Sequence, residues 1–221
     1  MEKKNFIENI VRFLNEAGIK TEIERVQKIY TFYLELMKWN KKINLTAITD
    51  PEEFVEKHVK DSAYLLKILK GKKIKLMDIG SGAGFPGIIV KILNPDIHLV
   101  SVESVLKKCN FQKYIARKLA LEGFICINAN IFALKNIDDI NALVTRAAFN
   151  VNELIDLIAG IDIRNDGRIF LFLTDAGDIK KIKQGNFKNK KLYKDKILRY
   201  KINNKDCRII ASYKIKVLQQ Q

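Results

Sequence analysis

Ten residues of this chain hold four glycines, three between an acid and a proline and one after it: Asp78-Ile79-Gly80-Ser81-Gly82-Ala83-Gly84-Phe85-Pro86-Gly87. Glycines at that density let the backbone turn sharply and let a ligand come within contact distance of main-chain N–H groups. An apolar run, residues 74–79, leads into the loop and a helical pattern, Gly87–Leu93, leaves it, the strand–loop–helix setting such a motif needs. Glu103 stands 23 residues after Gly80, at the end of the next apolar run. The expected offset for an acid that accepts ribose hydroxyls is about 20. Arg146, ending a later strand candidate, is the other residue placed for chemistry, at the ligand-binding edge of an open sheet. The alternatives are a turn that binds nothing and a surface ion pair for Arg146.

The glycine spacing bears on the ligand. Dinucleotide sites favour G-x-G-x-x-G facing a pyrophosphate, whereas this loop reads G-x-G-x-G with Asp78 two residues ahead. A carboxylate there repels a pyrophosphate but suits a cationic or amino-acid ligand. S-adenosyl-L-methionine, with its sulfonium and amino-acid tail, fits best, and a nicotinamide-dependent oxidoreductase is disfavoured. Other candidates are weaker. His58 and Asp61, three apart on a helix, are read as stabilising each other or a turn. Trp39 closes an apolar stripe and reads as core. Cys109, Cys126 and Cys207 read as buried small apolar residues, being odd in number and without C-x-x-C pairing. With only 2 histidines, no metal site is expected.

The elements that must position these residues follow from periodicity. Phe6, Ile10, Phe13 and Leu14 recur at helical spacing before Gly18. A second helix is expected from Glu22 to Trp39, and a third opens at Asp50-Pro51 and runs to Gly71. Residues 1–70 therefore read as a helical cap and 71–221 as one compact α/β unit. In that unit, strand candidates 74–79, 97–102, 124–127, 142–145 and 168–173 alternate with helical patterns 87–93, 105–121 and 151–159. Such alternation implies a parallel sheet. Residues 196–202 and 207–215, joined across 203–205, read as an antiparallel hairpin closing it. The fold class expected is α/β, Rossmann-like, a mostly parallel sheet with a helical cap.

The 221 residues are 48% hydrophobic and carry a formal charge of +15. No stretch approaches the roughly 18 apolar residues of a membrane span, and the start of the chain has no secretion-signal pattern. A cytoplasmic protein is expected. From Lys180 to Lys216 there are 14 basic and 2 acidic residues, against 26 and 23 in the rest of the chain. This asymmetry points to a polyanionic partner, nucleic acid before acidic lipid, unless it is a solvated lysine-rich face.

The motifs resemble, over nearly the whole chain, the bacterial small-subunit ribosomal RNA guanine-N7 methyltransferases, the RsmG (GidB) family. Residues 39–46 match its W-N-x-x-x-N-L-T; His58, Asp61 and Ser62 match R-H-x-x-D-S, with Lys57 for arginine; residues 80–87 match its cofactor loop. Glu103-Ser104 with Lys107, Lys108 and Phe111 resembles D-S-x-x-K-R-x-x-F, and Thr145-Arg146-Ala147 resembles S-R-A. The resemblance implies a class I S-adenosylmethionine-dependent methyltransferase fold. It places cofactor contacts on Asp78, Gly80, Gly82, Gly84, Phe85, Glu103, Ser104, the Ile131–Phe132 backbone and Arg146, the last in a positioning role with no catalytic base assigned. It implies 16S rRNA or the small subunit as partner, a guanine of the 530 loop as target, and a monomer. Two places depart: Asn130-Ile131-Phe132 stands for Arg-Ala-Glu, and Leu173-Thr174 for a lysine ending the fifth strand. The alternatives are a same-fold methyltransferase with another substrate and a non-catalytic RNA-binding assembly factor.

Overall fold

The computed structural model describes residues 2–69, 73–134, 139–146, 153, 157, 161, 163–173, 185–187, 190–202 and 206–218. Helix α1 (Lys3–Glu16) buries Phe6, Ile10, Phe13 and Leu14 and stops at Gly18, whose φ of +75° turns the chain back. Helix α2 (Ile23–Ile43) outruns the expected end at Trp39 by one turn. Lys41 and Lys42 favour the negative end of its dipole, and Asn44 in the left-handed region closes it. The third expected helix is three segments: α3 (Pro51–Phe54), a π-helical turn (Val55–Val59) and α4 (Lys60–Ile68). Asp50 caps it, its carboxylate accepting from the Glu52 and Glu53 amides at 2.9 Å. The π turn carries His58, and such turns occur often at functional sites.

Strands β1 (Lys75–Ile79), β2 (His98–Glu103), β3 (Phe124–Asn128), β4 (Ile140–Arg146) and β5 (Ile163–Leu173) are parallel, with α5 (Gly87–Leu93) and α6 (Leu106–Lys118) between them. β6 (Gly185–Phe187), β7 (Lys190–Ile202) and β8 (Asp206–Val217) complete an eight-stranded sheet of order β3-β2-β1-β4-β5-β8-β7-β6. The expected closing hairpin is present and longer than its apolar residues indicated, because lysines alternate along its outer strand. β6 has no counterpart in the expectations. The turn at 203–205 and most of the helix expected at 151–159 lie outside the described residues.

Period-2 alternation sorts the apolar residues onto two faces. Leu76, Leu99, Val144, Phe170, Tyr200 and Ile210 face one core, which they share with α1, α2, α4, α5 and α6. Met77, Ile79, Leu143, Ile169, Ile209 and Tyr213 face the other. The helices of the first 68 residues thus share a core with the sheet. Phe32 of α2 lies 5.2 Å from Phe85 of the glycine loop and 6.0 Å from Phe111 of α6, and Phe54 lies 5.8 Å from Phe85. This aromatic cluster seats the helices against the loop. Trp39, expected in the core, is half-buried and packs against it on Phe111 and Tyr114. Cys109 and Cys126 are buried with sulfurs 2.7 Å apart. Cys207 is exposed, against expectation, because it opens β8 opposite Lys201, beyond the apolar core.

Candidate functional site

The strand order reverses between β1 and β4, which pair with each other in parallel while β2 and β3 continue on one side and β5 on the other. The crevice beyond the C-terminal ends of these strands is where open α/β sheets bind ligands. The glycine loop fills that position. Gly80 (φ +67°) donates to the Val102 carbonyl at 2.9 Å, and Gly84 and Phe85 both donate to Ser81 O at 2.8 Å. At Gly82 (φ +60°) a β-carbon would meet nothing within 4 Å, so this glycine borders open space. Gly87 differs: a β-carbon there would come within 2.6 Å of Asp78 Oδ2, the oxygen to which its own amide donates at 2.8 Å.

Asp78 is fully buried, and its second oxygen, Oδ1, has no partner among the protein groups. Burial raises its pKa from the usual carboxylate value to about 7; the Gly87 amide and Arg146 pull it down, and Glu103 pushes it up. Glu103, 5% exposed, accepts from the Gly82 amide through Oε2 and from the Val105 amide through Oε1, both at 2.8 Å. Each oxygen keeps a lone pair for a hydroxyl donor. Beside them is a cavity of about 290 Å3 lined by Ile79, Gly80, Val102, Ser104, Ala129, Asn130, Ile131 and Phe132. Asn128 ties its wall together, Nδ2 donating to the Glu103 and Ser104 carbonyls at 2.8 and 2.9 Å. Asn130 caps the short 3-10 turn that follows, accepting from the Phe132 amide at 3.0 Å. The Phe132 ring is 52% exposed, so an apolar face is offered at the cavity mouth.

Arg146 ends β4 on the face turned toward the helical cap. Its Nη1 donates to Lys57 O at 3.1 Å and to His58 Nδ1 at 3.0 Å, and lies 3.4 Å from Asp61 Oδ2. A guanidinium only donates, so Nδ1 accepts and the His58 proton sits on Nε2. Burial first, then Arg146, holds the His58 pKa well below the usual imidazole value. The His58 ring stacks on Phe85 at 3.8 Å and 3°. Asp61 accepts from the Tyr200 hydroxyl at 2.6 Å, and burial raises its pKa against the pull of Arg146. The expectation that His58 and Asp61 stabilise each other or a turn is met by a different arrangement: both are held by Arg146 at the end of β4. Arg146 does form an ion pair with an acid, but a largely buried one at the loop, not a surface one.

S-adenosylmethionine needs an acceptor for its ammonium, acceptors for two ribose hydroxyls and an apolar slot for adenine. Asp78 Oδ1, Glu103 and the Phe132-lined cavity supply these three groups, and Gly82, whose amide bonds Glu103, leaves open space beside it. The residues fit the ligand.

The comparisons with known proteins decide the family. Residues 25–207 match the family described as rRNA small subunit methyltransferase G. The chain belongs to this family. Among relatives, the ribosomal RNA small subunit methyltransferase G of Geobacter sp. strain M21 is 40% identical over 156 residues, 70% of this chain and 71% of the relative. That of Mycoplasma capricolum is 33% identical over 81% of this chain and 78% of the relative. Among solved structures, magnesium protoporphyrin IX methyltransferase from Synechocystis with bound S-adenosylmethionine superposes with a TM-score of 0.59 at 11% identity, covering 83% of this chain and 96% of that one. Precorrin-6y C5,15-methyltransferase from Geobacter metallireducens gives 0.51 at 15% identity, covering 69% and 86%. These last two establish the class I methyltransferase fold.

Of the expected contacts, Gly80, Ser104, Ile131 and Phe132 line the cavity, Gly82 and Glu103 are tied to each other by a hydrogen bond, Asp78 is buried against Gly87, and Gly84 and Phe85 are turned into the core, Phe85 toward Phe32, Phe54, His58 and Arg146. Leu173 ends β5 half-buried; Thr174 lies outside the described residues. Sequence reasoning missed Gln112, a fully buried residue of α6 whose Nε2 donates to Ser81 Oγ and Gly82 O, both at 2.8 Å. A lone glutamine in a helix gives no signal. Gln112→Leu strands two buried loop acceptors, each hydrogen bond being worth about 1 kcal/mol. The expected result is a rise of about tenfold in the S-adenosylmethionine Kd; calorimetry returning the wild-type Kd would deny it this role.

Proposed function

We propose that this protein transfers a methyl group from S-adenosylmethionine to N7 of a guanine in 16S rRNA, in the 530 loop, acting in the cytoplasm as a monomer. The observation that carries the reading is the proximity of the buried Asp78, the Glu103 carboxylate, the open Gly82 backbone and Arg146 in a family described as methyltransferases of small-subunit rRNA. Among the described residues no helix is long and apolar enough to cross a membrane.

Bound S-adenosylmethionine supplies an electrophilic methyl group on a sulfonium. Guanine N7 holds an in-plane lone pair and no proton, so no general base is required. His58 agrees with this: its Nδ1 is taken by Arg146 and its ring by Phe85. The chain's work is binding and alignment, an entropic contribution of several kcal/mol. Asp78 and Gly80 to Phe85 hold the amino-acid end, Glu103 the ribose, and Ile131 and Phe132 the adenine. Arg146, fixed between cap and sheet, bounds the side on which the target base enters. The helices packed over Phe85 exclude water from the cationic centre.

Asp78 gives a pH test. Its carboxyl is mostly neutral at pH 6 and mostly ionised at pH 8, because its pKa is about 7 in the fold. An ammonium partner binds the ionised form, so Asp78 favours binding increasingly as pH rises through 7. The ligand's own amine loses charge at the upper end of this range and acts in the opposite sense, so the comparison is with Asp78→Asn. The difference between wild-type and Asn affinities is expected to grow by about tenfold from pH 6 to pH 8. A difference that stays constant over that range would contradict an Asp78–ammonium contact. In thermal melts S-adenosylmethionine should raise Tm with concentration, as mass action requires, and NAD should not.

A further inference from the structure

We infer that the outward edge of β7, through Lys196, Arg199 and Lys201, is the track along which the phosphates of the RNA substrate run into the methyl-transfer crevice. The inference rests on the RNA reading above and gives it an address. Charge in the C-terminal segment is not evenly available. Lys190 bonds the Ile161 carbonyl, Lys214 lies 3.5 Å from Asp195, and Arg208 adds its field to the Asp61–Tyr200 pair. These cations are already engaged with groups of the protein. Lys196, Arg199 and Lys201 are exposed.

The acid of this strand is turned the other way. A bulge between Lys194 and Lys196 shifts the alternation, and Asp195 points in, 3.6 Å from Arg168 and 3.2 Å from Ser212 Oγ. The exposed positions from 196 to 201 therefore carry one sign only, Lys196 on the cap face of the strand and Arg199 and Lys201 on the opposite face, so that together they straddle the edge. β6 covers β7 over Lys190–Leu192; among the described residues no strand pairs with the outer edge beyond that. At about 3.3 Å per residue, Lys196 and Lys201 stand about 17 Å apart.

Register places this strip at the crevice. Arg146 is level with Phe172, Phe172 with Ile210, and Ile210 with Leu198. Three strand spacings of about 4.8 Å put the strip about 14 Å from Arg146, with Arg199 and Lys201 on the C-terminal side of that level. At the same end Tyr200 bonds Asp61, which Arg146 also holds. Lysines on an edge strand also serve to block sheet-to-sheet pairing. That role needs no particular level along the strand, whereas a phosphate track must meet the site, and this one does.

The test is the triple variant Lys196→Gln, Arg199→Gln, Lys201→Gln in the full chain, beside a control removing three exposed cap cations, Lys4, Lys20 and Lys38. Methyl transfer to small ribosomal subunits is followed from about 0.05 to 0.3 M salt. The track predicts a KM for subunits at least tenfold higher, and a salt slope of log(kcat/KM) shallower by about 2, at about 0.7–0.9 per phosphate contact. The Kd for S-adenosylmethionine and the Tm should match wild type, and the control should behave as wild type. Wild-type KM and slope in the triple variant, or equal losses in the control, overturn the track alone. If the wild-type protein methylates no RNA, the RNA reading fails and the track with it.

Discussion

Gly82→Val is expected to leave the fold standing and to lower S-adenosylmethionine affinity by more than a hundredfold. The two halves of that expectation rest on different observations. A β-carbon at Gly82 meets no protein atom within 4 Å, so the new side chain has room in the free protein. It projects instead into the open space beside Glu103 that the proposed ligand would fill. A φ of +60° is unfavourable for a β-branched residue, at about 1–2 kcal/mol. The Gly82 amide also donates to Glu103 Oε2, so distortion there moves the ribose-binding acid. Gly84 is the contrast. A β-carbon there would lie 2.8 Å from Ile88 Cγ1, inside the core. Gly84→Ala should therefore lower Tm, whereas Gly82→Val should lower affinity with a smaller change in Tm. Tight binding by the valine variant, measured calorimetrically, would move the cofactor off this loop.

Arg146→Met is expected to cost both stability and turnover, with a pH signature. Removing the guanidinium leaves Asp61, 3% exposed, with the Tyr200 hydroxyl as its remaining close partner. Breaking a buried pair of this kind typically costs about 3 kcal/mol or more. Asp61 can escape part of the cost by taking a proton. Burial already raises its pKa, and without Arg146 it rises further. The penalty is therefore full above that raised value and vanishes as pH falls toward the unfolded carboxylate range near 4. The variant should be about 3 kcal/mol less stable than wild type at pH 8, with the gap closing steadily toward pH 5. Turnover measured at a temperature where the variant is folded should fall at least a hundredfold, because Arg146 also fixes His58 against Phe85. A pH-independent loss of stability would mean that the Asp61 contact is not what the fold loses.

The two variants mark the boundary of what is legible in the residues. The glycine loop, Glu103 and α5 are readable because each is local: a turn chemistry, an offset along one βαβ unit, a continuous apolar run. The Arg146–His58–Asp61–Tyr200 network joins positions up to 139 apart in sequence, and no local pattern announces it. His58 and Asp61 have helical spacing, so they read as partners of each other. The π turn between α3 and α4, packed over the end of β4, delivers them to Arg146 instead. Gln112 is invisible for the same reason, its meaning set by the loop it reaches. Charge counting found the basic C-terminal segment but could not sort its cations. That required the bulge at Asp195, which turns the acid inward and leaves Lys196, Arg199 and Lys201 outside. Cys207 shows the limit of composition: residue type suggested burial, and position at the start of β8 decided exposure.

The central claim is methyl transfer to one guanine of small-subunit rRNA. Its direct test is incubation of the protein with methyl-labelled S-adenosylmethionine and small ribosomal subunits lacking N7 methylation, with naked 16S rRNA in parallel, followed by mapping of the label. Label on N7 of a single guanosine in the 530 loop, lost in Gly82→Val, is the predicted result. Intact S-adenosylmethionine binding with no label on either RNA, or label on another atom or another molecule, would contradict it.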